Sequence, residues 1–161
     1  MTTGRWIAAL WIASSVFGGL VFFVYRTTPR VVALQRAGSA RAAADVLRHW
    51  RSSGQWGRAR RNMTLDYGFI ATFYPCMALA AWVWGRGIGW TTASTIAAAI
   101  AVIAGLSDFV EDLALEFVVR SPTNFAAEVA TISSNVKFTL APAALLFVLL
   151  AGGLLLRKNL V

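Results

Sequence analysis

The sequence predicts an all-α membrane protein: a four-helix transmembrane bundle with a short amphipathic interfacial helix in its first cytoplasmic loop. Three observations lead there. The 161 residues are 58% hydrophobic and only 14% charged, with a mean hydropathy of +0.63. The apolar residues gather into four runs, each near the roughly 20 residues that cross about 30 Å of hydrocarbon. Nine of the fifteen basic residues fall in one loop directly after the first run. Four such runs in so short a chain leave no polar layer to cover them as soluble helices, so residues 1–161 read as a single membrane domain. The spans are expected at about 6–25, 65–84, 92–119 and 134–156, with a cytoplasmic basic loop over 26–62.

The first run, Trp6–Tyr25, is too long and too aromatic for a signal-peptide core, and its small pairs Ser14-Ser15 and Gly18-Gly19 sit mid-run and make no convincing cleavage site, so it reads as a retained span. Ser15 and Gly19, four apart, would allow a close helix contact. Pro29 breaks the run's continuation. The loop then carries Arg26, Arg30, Arg36, Arg41, Arg48, Arg51, Arg58, Arg60 and Arg61 against one acid, Asp45. Within it, Gly38-Ser39 and Ser52-Ser53-Gly54 bracket a helix from about Ala40 to Arg51. Ala43, Val46, Leu47 and Trp50 share one face of that helix, which would lie along the membrane surface. Trp50, Arg58, Arg60 and Arg61 would then meet anionic lipid headgroups. The other reading is a solvated connector that only sets topology.

The second span follows Leu65-Asp66-Tyr67 and carries Pro75 near its middle, where a kink is expected. It ends in Trp82, Trp84 and, past a glycine-rich turn, Trp90, an aromatic belt around a hairpin. The third span holds Ala97, Ala101 and Gly105, small residues four apart that make a packing seam. Ser121-Pro122 would start the next helix, with Ser as cap and Pro in the first turn. The fourth span carries Ser133, Ser134 and Lys137 near its beginning and leaves through Arg157-Lys158.

Charge asymmetry orients the bundle. The first and third loops hold ten basic residues and the opposite side four, which puts both termini outside and the arginine loop in the cytoplasm. Membrane lipids are the expected partners, and a homo-oligomer is left open. Basic residues placed this way argue against nucleic acid as the reason for the +8 charge. Cys76, the lone cysteine, leaves no disulfide or dithiol pair. His49, the lone histidine, leaves no bis-histidine haem and no zinc site.

The third span runs into an acidic stripe. Asp108, Glu111, Asp112 and, one turn on, Glu116 share a helix face. Unpaired charge in lipid is costly, so the stripe must face protein, water, a cation or a ligand. Counting about 1.5 Å per residue from the outer ends places Asp66, Lys137, Asp108, Glu111 and Asp112 all roughly 24–30 Å deep. Five charges from three helices thus share one layer near the cytoplasmic side, and Lys137 should sit within about 4 Å of one of the acids. The candidate binding residues are Asp66, Tyr67, Asp108, Glu111, Asp112 and Lys137. Four acids outnumber one lysine, so some must be protonated, bind a cation, or recruit arginines from Arg58–Arg61.

Three functions fit that layer. It could be a polar cluster that only sets helix register. It could bind a cation, a basic ligand or a lipid headgroup in a membrane protein, an accessory subunit or a transporter subunit. It could serve a lipid-phosphate enzyme that uses a divalent cation, so whether the chain is an enzyme is left open. Asp108, Glu111 and Asp112 are the ligands if a metal binds, and carboxylates alone suit Mg²⁺ or Ca²⁺. The outer halves of the spans hold almost no charge, which weighs against a continuous ion path.

Asp108-x-x-Glu111-Asp112 loosely resembles the acidic helices of intramembrane prenyltransferases, without the second such motif those enzymes carry. A resemblance over most of the chain is to a diffuse group of small four-span bacterial membrane proteins. It rests on Leu65-Asp66-Tyr67, on Asp108-Phe109-Val110-Glu111-Asp112 in place of that group's Asp-x-x-Glu-Asn, and on Lys137-Phe138. It implies a four-span fold with a polar cluster, located in a bacterial cytoplasmic (inner) membrane, and brings no activity with it. Asp112 departs from the group's amide and worsens the charge imbalance.

Overall fold

A computed structural model describes residues 7, 9, 11–13, 15, 16, 18–20 and 31–160, with no strand among them. Five helices follow one another: α1 (Val31–Gln35), α2 (Ala40–Ser52), α3 (Trp56–Gly87), α4 (Thr91–Arg120) and α5 (Asn124–Leu160). Three of them, α3, α4 and α5, are long and apolar enough to cross a membrane. An apolar helical stretch, Trp11–Leu20, precedes them and runs across residues outside the description. The far end of the expected first span, and Arg26, Pro29 and Arg30, also lie outside the described residues. Ile96, Val102, Leu106, Leu146, Leu149 and Leu150 are all exposed on α4 and α5. So much apolar side-chain surface facing outward fits a lipid surround and not water.

Helices α3 and α4 form a tight antiparallel hairpin. Gly89 turns the chain with φ +87, a conformation that a side chain would strain, and Trp90 N–H donates to Gly85 O at 2.8 Å. A Cβ on Gly85 would stand 2.5 Å from Ser94 Cβ, and one on Gly105 would stand 2.8 Å from Tyr74 Cβ. These two glycines let the helix axes approach at both places, as small residues do between membrane helices. The expected seam is buried along its length at Ala97, Ala101 and Gly105. The same antiparallel register brings Asp66 level with Asp112. Across the other interface, Ala101 and Ala144 share one core cluster, and the register that pairs them sets Asp108 beside Lys137.

Four elements depart from the sequence expectation. Residues 56–62, expected in the loop, are the first turns of α3, and α3 carries the exposed Arg58, Arg60 and Arg61. At the α4–α5 junction Ser121-Pro122 ends one helix and does not start the next: Ser121 is extended at φ −152, ψ 97, as the residue before proline tends to be. Thr123 caps α5 instead, its Oγ1 accepting from Ala126 N at 3.2 Å. On the first helical stretch, Gly18 makes the close approach, 3.2 Å from its would-be Cβ to the Phe69 ring, while Gly19 faces open space.

The fourth departure concerns α2. Its bounds and cap follow the sequence, with Ser39 Oγ accepting from Ala42 N at 3.3 Å. Its apolar face, however, is not turned to lipid. Ala43, Val46, Leu47 and Trp50 pack into one core with Leu115, Val118 and Ala127 of α4 and α5. Trp50 is 1% exposed, so this tryptophan is a core residue and no headgroup contact. Hydrophobicity marks a face that leaves water; it does not say whether protein or lipid receives it. Three hydrogen bonds hold the segment before α2 onto α5: Gly38 N to Thr131 Oγ1, Thr131 Oγ1 to Gln35 O, and Ala40 N to Asn124 Oδ1.

Candidate functional site

Between the α2 cap and the hairpin lies a buried polar layer built by α3, α4 and α5. Helix α4 contributes Asp108, Glu111 and Asp112 from one face, since spacings of three and four bring residues to the same side. All three are buried, Glu111 at 0% and Asp112 at 1% exposure. Lys137 enters from α5 with its Nζ 2.6 Å from Asp108 Oδ1 and 2.6 Å from Glu111 Oε2. The first contact is a hydrogen bond; the second is a contact of charges without hydrogen-bond alignment. Tyr74 Oη donates to the other Asp108 oxygen at 2.9 Å, so Asp108 is satisfied on both oxygens. Gly105 makes this possible: it seats Tyr74 against α4 one turn before Asp108.

Asp66 completes the group from α3, half-buried. One carboxylate oxygen each from Asp66, Asp108 and Asp112 lies within 4.8 Å of the other two. Four carboxylates therefore face one ammonium. Among the described residues no arginine pairs with them; the remaining ion pairs are Arg48 with Asp45 and Arg120 with Glu116 at 3.1 Å. Glu116 thus leaves the stripe, and Arg58, Arg60 and Arg61 are exposed at the end of α3.

Several oxygens in the layer have no partner among the described residues: Asp112 Oδ2, Glu111 Oε1, Asn62 Oδ1 and Ser134 Oγ. Asn62 lies one turn before Asp66 on α3, and Ser134 one turn before Lys137 on α5. Burying an oxygen this way ordinarily costs about 1–3 kcal/mol. Three of the four are acceptors only when the acids are ionised, so a donor or a cation would satisfy them.

The structure therefore brings together Asp66, Asp108, Glu111, Asp112 and Lys137 as the sequence groups them. Tyr67 does not join them: its ring packs edge-on against Phe109, centroids 5.8 Å apart. Tyr74 has the role instead, seven residues on along the same helix face. Asn62 was also missed. Its signal in the sequence was its spacing of four from Asp66. A cavity of about 300 Å³ reaches the layer between α3 and α5, lined by Asp66, Asp108, Lys137, Phe69, Phe73 and Phe138 among others.

Fold and site together define a helical protein with the features of a multi-pass membrane protein and a buried acid–lysine cluster. No family model, curated protein or solved structure matches the chain.

Proposed function

We propose that this chain is a four-span bundle of a bacterial cytoplasmic membrane, with Trp11–Leu20 in its first span, whose polar layer binds a cation. The reading has both termini outside, the arginine-rich segment in the cytoplasm, and α2 held at the cytoplasmic end of the bundle. Arg58, Arg60 and Arg61 then face anionic headgroups. One observation carries the cation: Asp66, Asp108 and Asp112 converge within 4.8 Å, while the only ammonium in the layer lies between Asp108 and Glu111. An added cation would relieve like-charge crowding and partner the Asp112 oxygen left over. Toward the hairpin the only buried polar side chain among the described residues is Ser94, which favours a binding site over a conducting path.

Thermal melts in detergent test this reading. Mg²⁺, Ca²⁺ and primary amines are the probes, because ligands of the native state stabilise it by mass action. At least one probe should stabilise the wild type, and Asp112→Asn should raise the basal melting temperature while abolishing that response. A wild type that no cation stabilises, beside a simply more stable Asp112→Asn, sinks the reading. For the topology, Ile88→Cys should react with an impermeant maleimide from outside and Ser53→Cys should not, in a Cys76→Ser background.

A further inference from the structure

The cavity between α3 and α5 narrows the choice of cation. Its floor is Asp66, Asp108 and Lys137, and its walls include Phe69, Phe73 and Phe138. Tyr74 supplies the remaining polar group, and its hydroxyl is already committed to Asp108. At about 300 Å³ the cavity is at the small end of ligand sites. A bare metal ion would use only the floor and leave the aromatic space empty. Building on the cation reading above, we propose that the ligand is an amphiphile: a primary ammonium on the acidic floor, with its hydrocarbon body between the phenylalanines.

Three observations support this chemistry. Lys137 shows how the layer holds an ammonium: two carboxylate oxygens at 2.6 Å and the Phe138 ring centroid at 5.0 Å. An incoming ammonium at Asp66 meets the same kind of surroundings, a carboxylate beside the stacked Phe69–Phe73 pair, whose centroids are 4.7 Å apart. Beside the cavity, without lining it, Asp112 Oδ2 and Asn62 Oδ1 are buried acceptors that no described residue partners, so the surroundings of the floor favour a cation. Finally, Phe138 and Pro142 line the cavity yet are exposed on the part of α5 that crosses the membrane, so the way in is from the bilayer.

Such an ammonium could belong to a single-chain amine or to an ethanolamine phospholipid. The guanidinium of Arg36 lies 5.9 Å from the Phe138 ring centroid, beside the cavity, where a phosphate could pair with it. The two sources are therefore separable.

The test compares dodecylamine with dodecanol, which lacks the charge, and methylammonium, which lacks the body, on the purified full-length protein in maltoside micelles. Dodecylamine should raise the melting temperature with the logarithm of its concentration, and neither control should match it. Asp66→Asn should abolish the rise. Phe138→Ala, at an exposed position, should weaken it. In nanodiscs, replacing phosphatidylcholine by phosphatidylethanolamine should reproduce the rise if the ligand is a lipid, and Arg36→Gln should then reduce the lipid response but spare that of dodecylamine. A response to dodecylamine alone assigns a free amine; either source bears out the ammonium amphiphile. An equal rise with dodecanol, or one that persists in both variants, overturns it. If Mg²⁺ or Ca²⁺ stabilises the protein and dodecylamine does not, the cation site stands and the amphiphile falls. If nothing stabilises it, both fall.

Discussion

The hairpin half of α3 and α4 and the polar half below it both bury side chains, yet of different kinds. Near the hairpin, the small residues Ala80, Ala81, Ala97 and Ala101 are buried, and the polar groups present are satisfied locally. Ser94 Oγ donates to Thr91 O at 2.8 Å, and Cys76 Sγ lies 3.5 Å from Ile7 O. The unpartnered buried atoms all lie in the other half, from Trp50 to Asn62 and from Glu111 to Ser134. Shape alone is enough in the first half. The second half depends on charge balance, and that balance is incomplete. A layer that only sets register can be fully paired, whereas this one keeps buried acceptors that no described residue partners.

The contrast can be broken most strongly at its centre. Lys137→Met removes the one counter-charge that the described residues give Asp108 and Glu111, and should cost about 3–5 kcal/mol in denaturant titrations of the detergent-solubilised protein. A loss below about 1 kcal/mol would mean the acids do not depend on it. Tyr74→Phe comes next, because it strips one hydrogen bond from a buried carboxylate; about 1.5–3 kcal/mol is expected by the same titration. Gly105→Ala sharpens the comparison from the apolar side. Its Cβ would meet Tyr74 Cβ and Cγ at 2.8 Å, atoms close to the backbone that cannot swing away. Overpacking of about 1–3 kcal/mol should follow, and paired with Tyr74→Phe the two losses should be less than additive, since both act on one contact. The smallest effect belongs to Asp112→Asn, within about 1 kcal/mol and toward greater stability, as a neutral amide keeps the shape but not the crowding.

The two halves were also unequally legible in the sequence. Counting residues from the helix ends was enough to place Lys137 level with Asp66 and Asp108, because helical rise is fixed and charges in a span stand out. The small-residue seam was readable for the same reason. Tyr74 was not, since Tyr67 stands next to Asp66 in the chain and the contact depends on how closely Gly105 lets α3 approach. Asn62 and Ser134 carry no charge and drew no attention, although their burial matters as much as that of the acids. Trp50 was misplaced because an amphipathic helix reads alike whether it covers lipid or protein. Ser121-Pro122 was assigned to the wrong helix because a proline can follow one helix or begin another, and the extended Ser121 decides which.

The three hydrogen bonds that hold the segment before α2 onto α5 bear on the order of assembly. They join residues 84, 93 and 96 positions apart in the chain. Thr131 and Asn124 leave the ribosome long after Gln35, Gly38 and Ala40, and contacts so distant in sequence form late. Until α5 has been inserted, the apolar face of α2 has only part of its seat, since Ala126, Ala127 and Ala130 complete the core around Trp50. A nascent chain truncated before residue 124 should therefore leave α2 open to protease, and one that extends through α5 should protect it, so this end of the bundle closes only once α5 has been made.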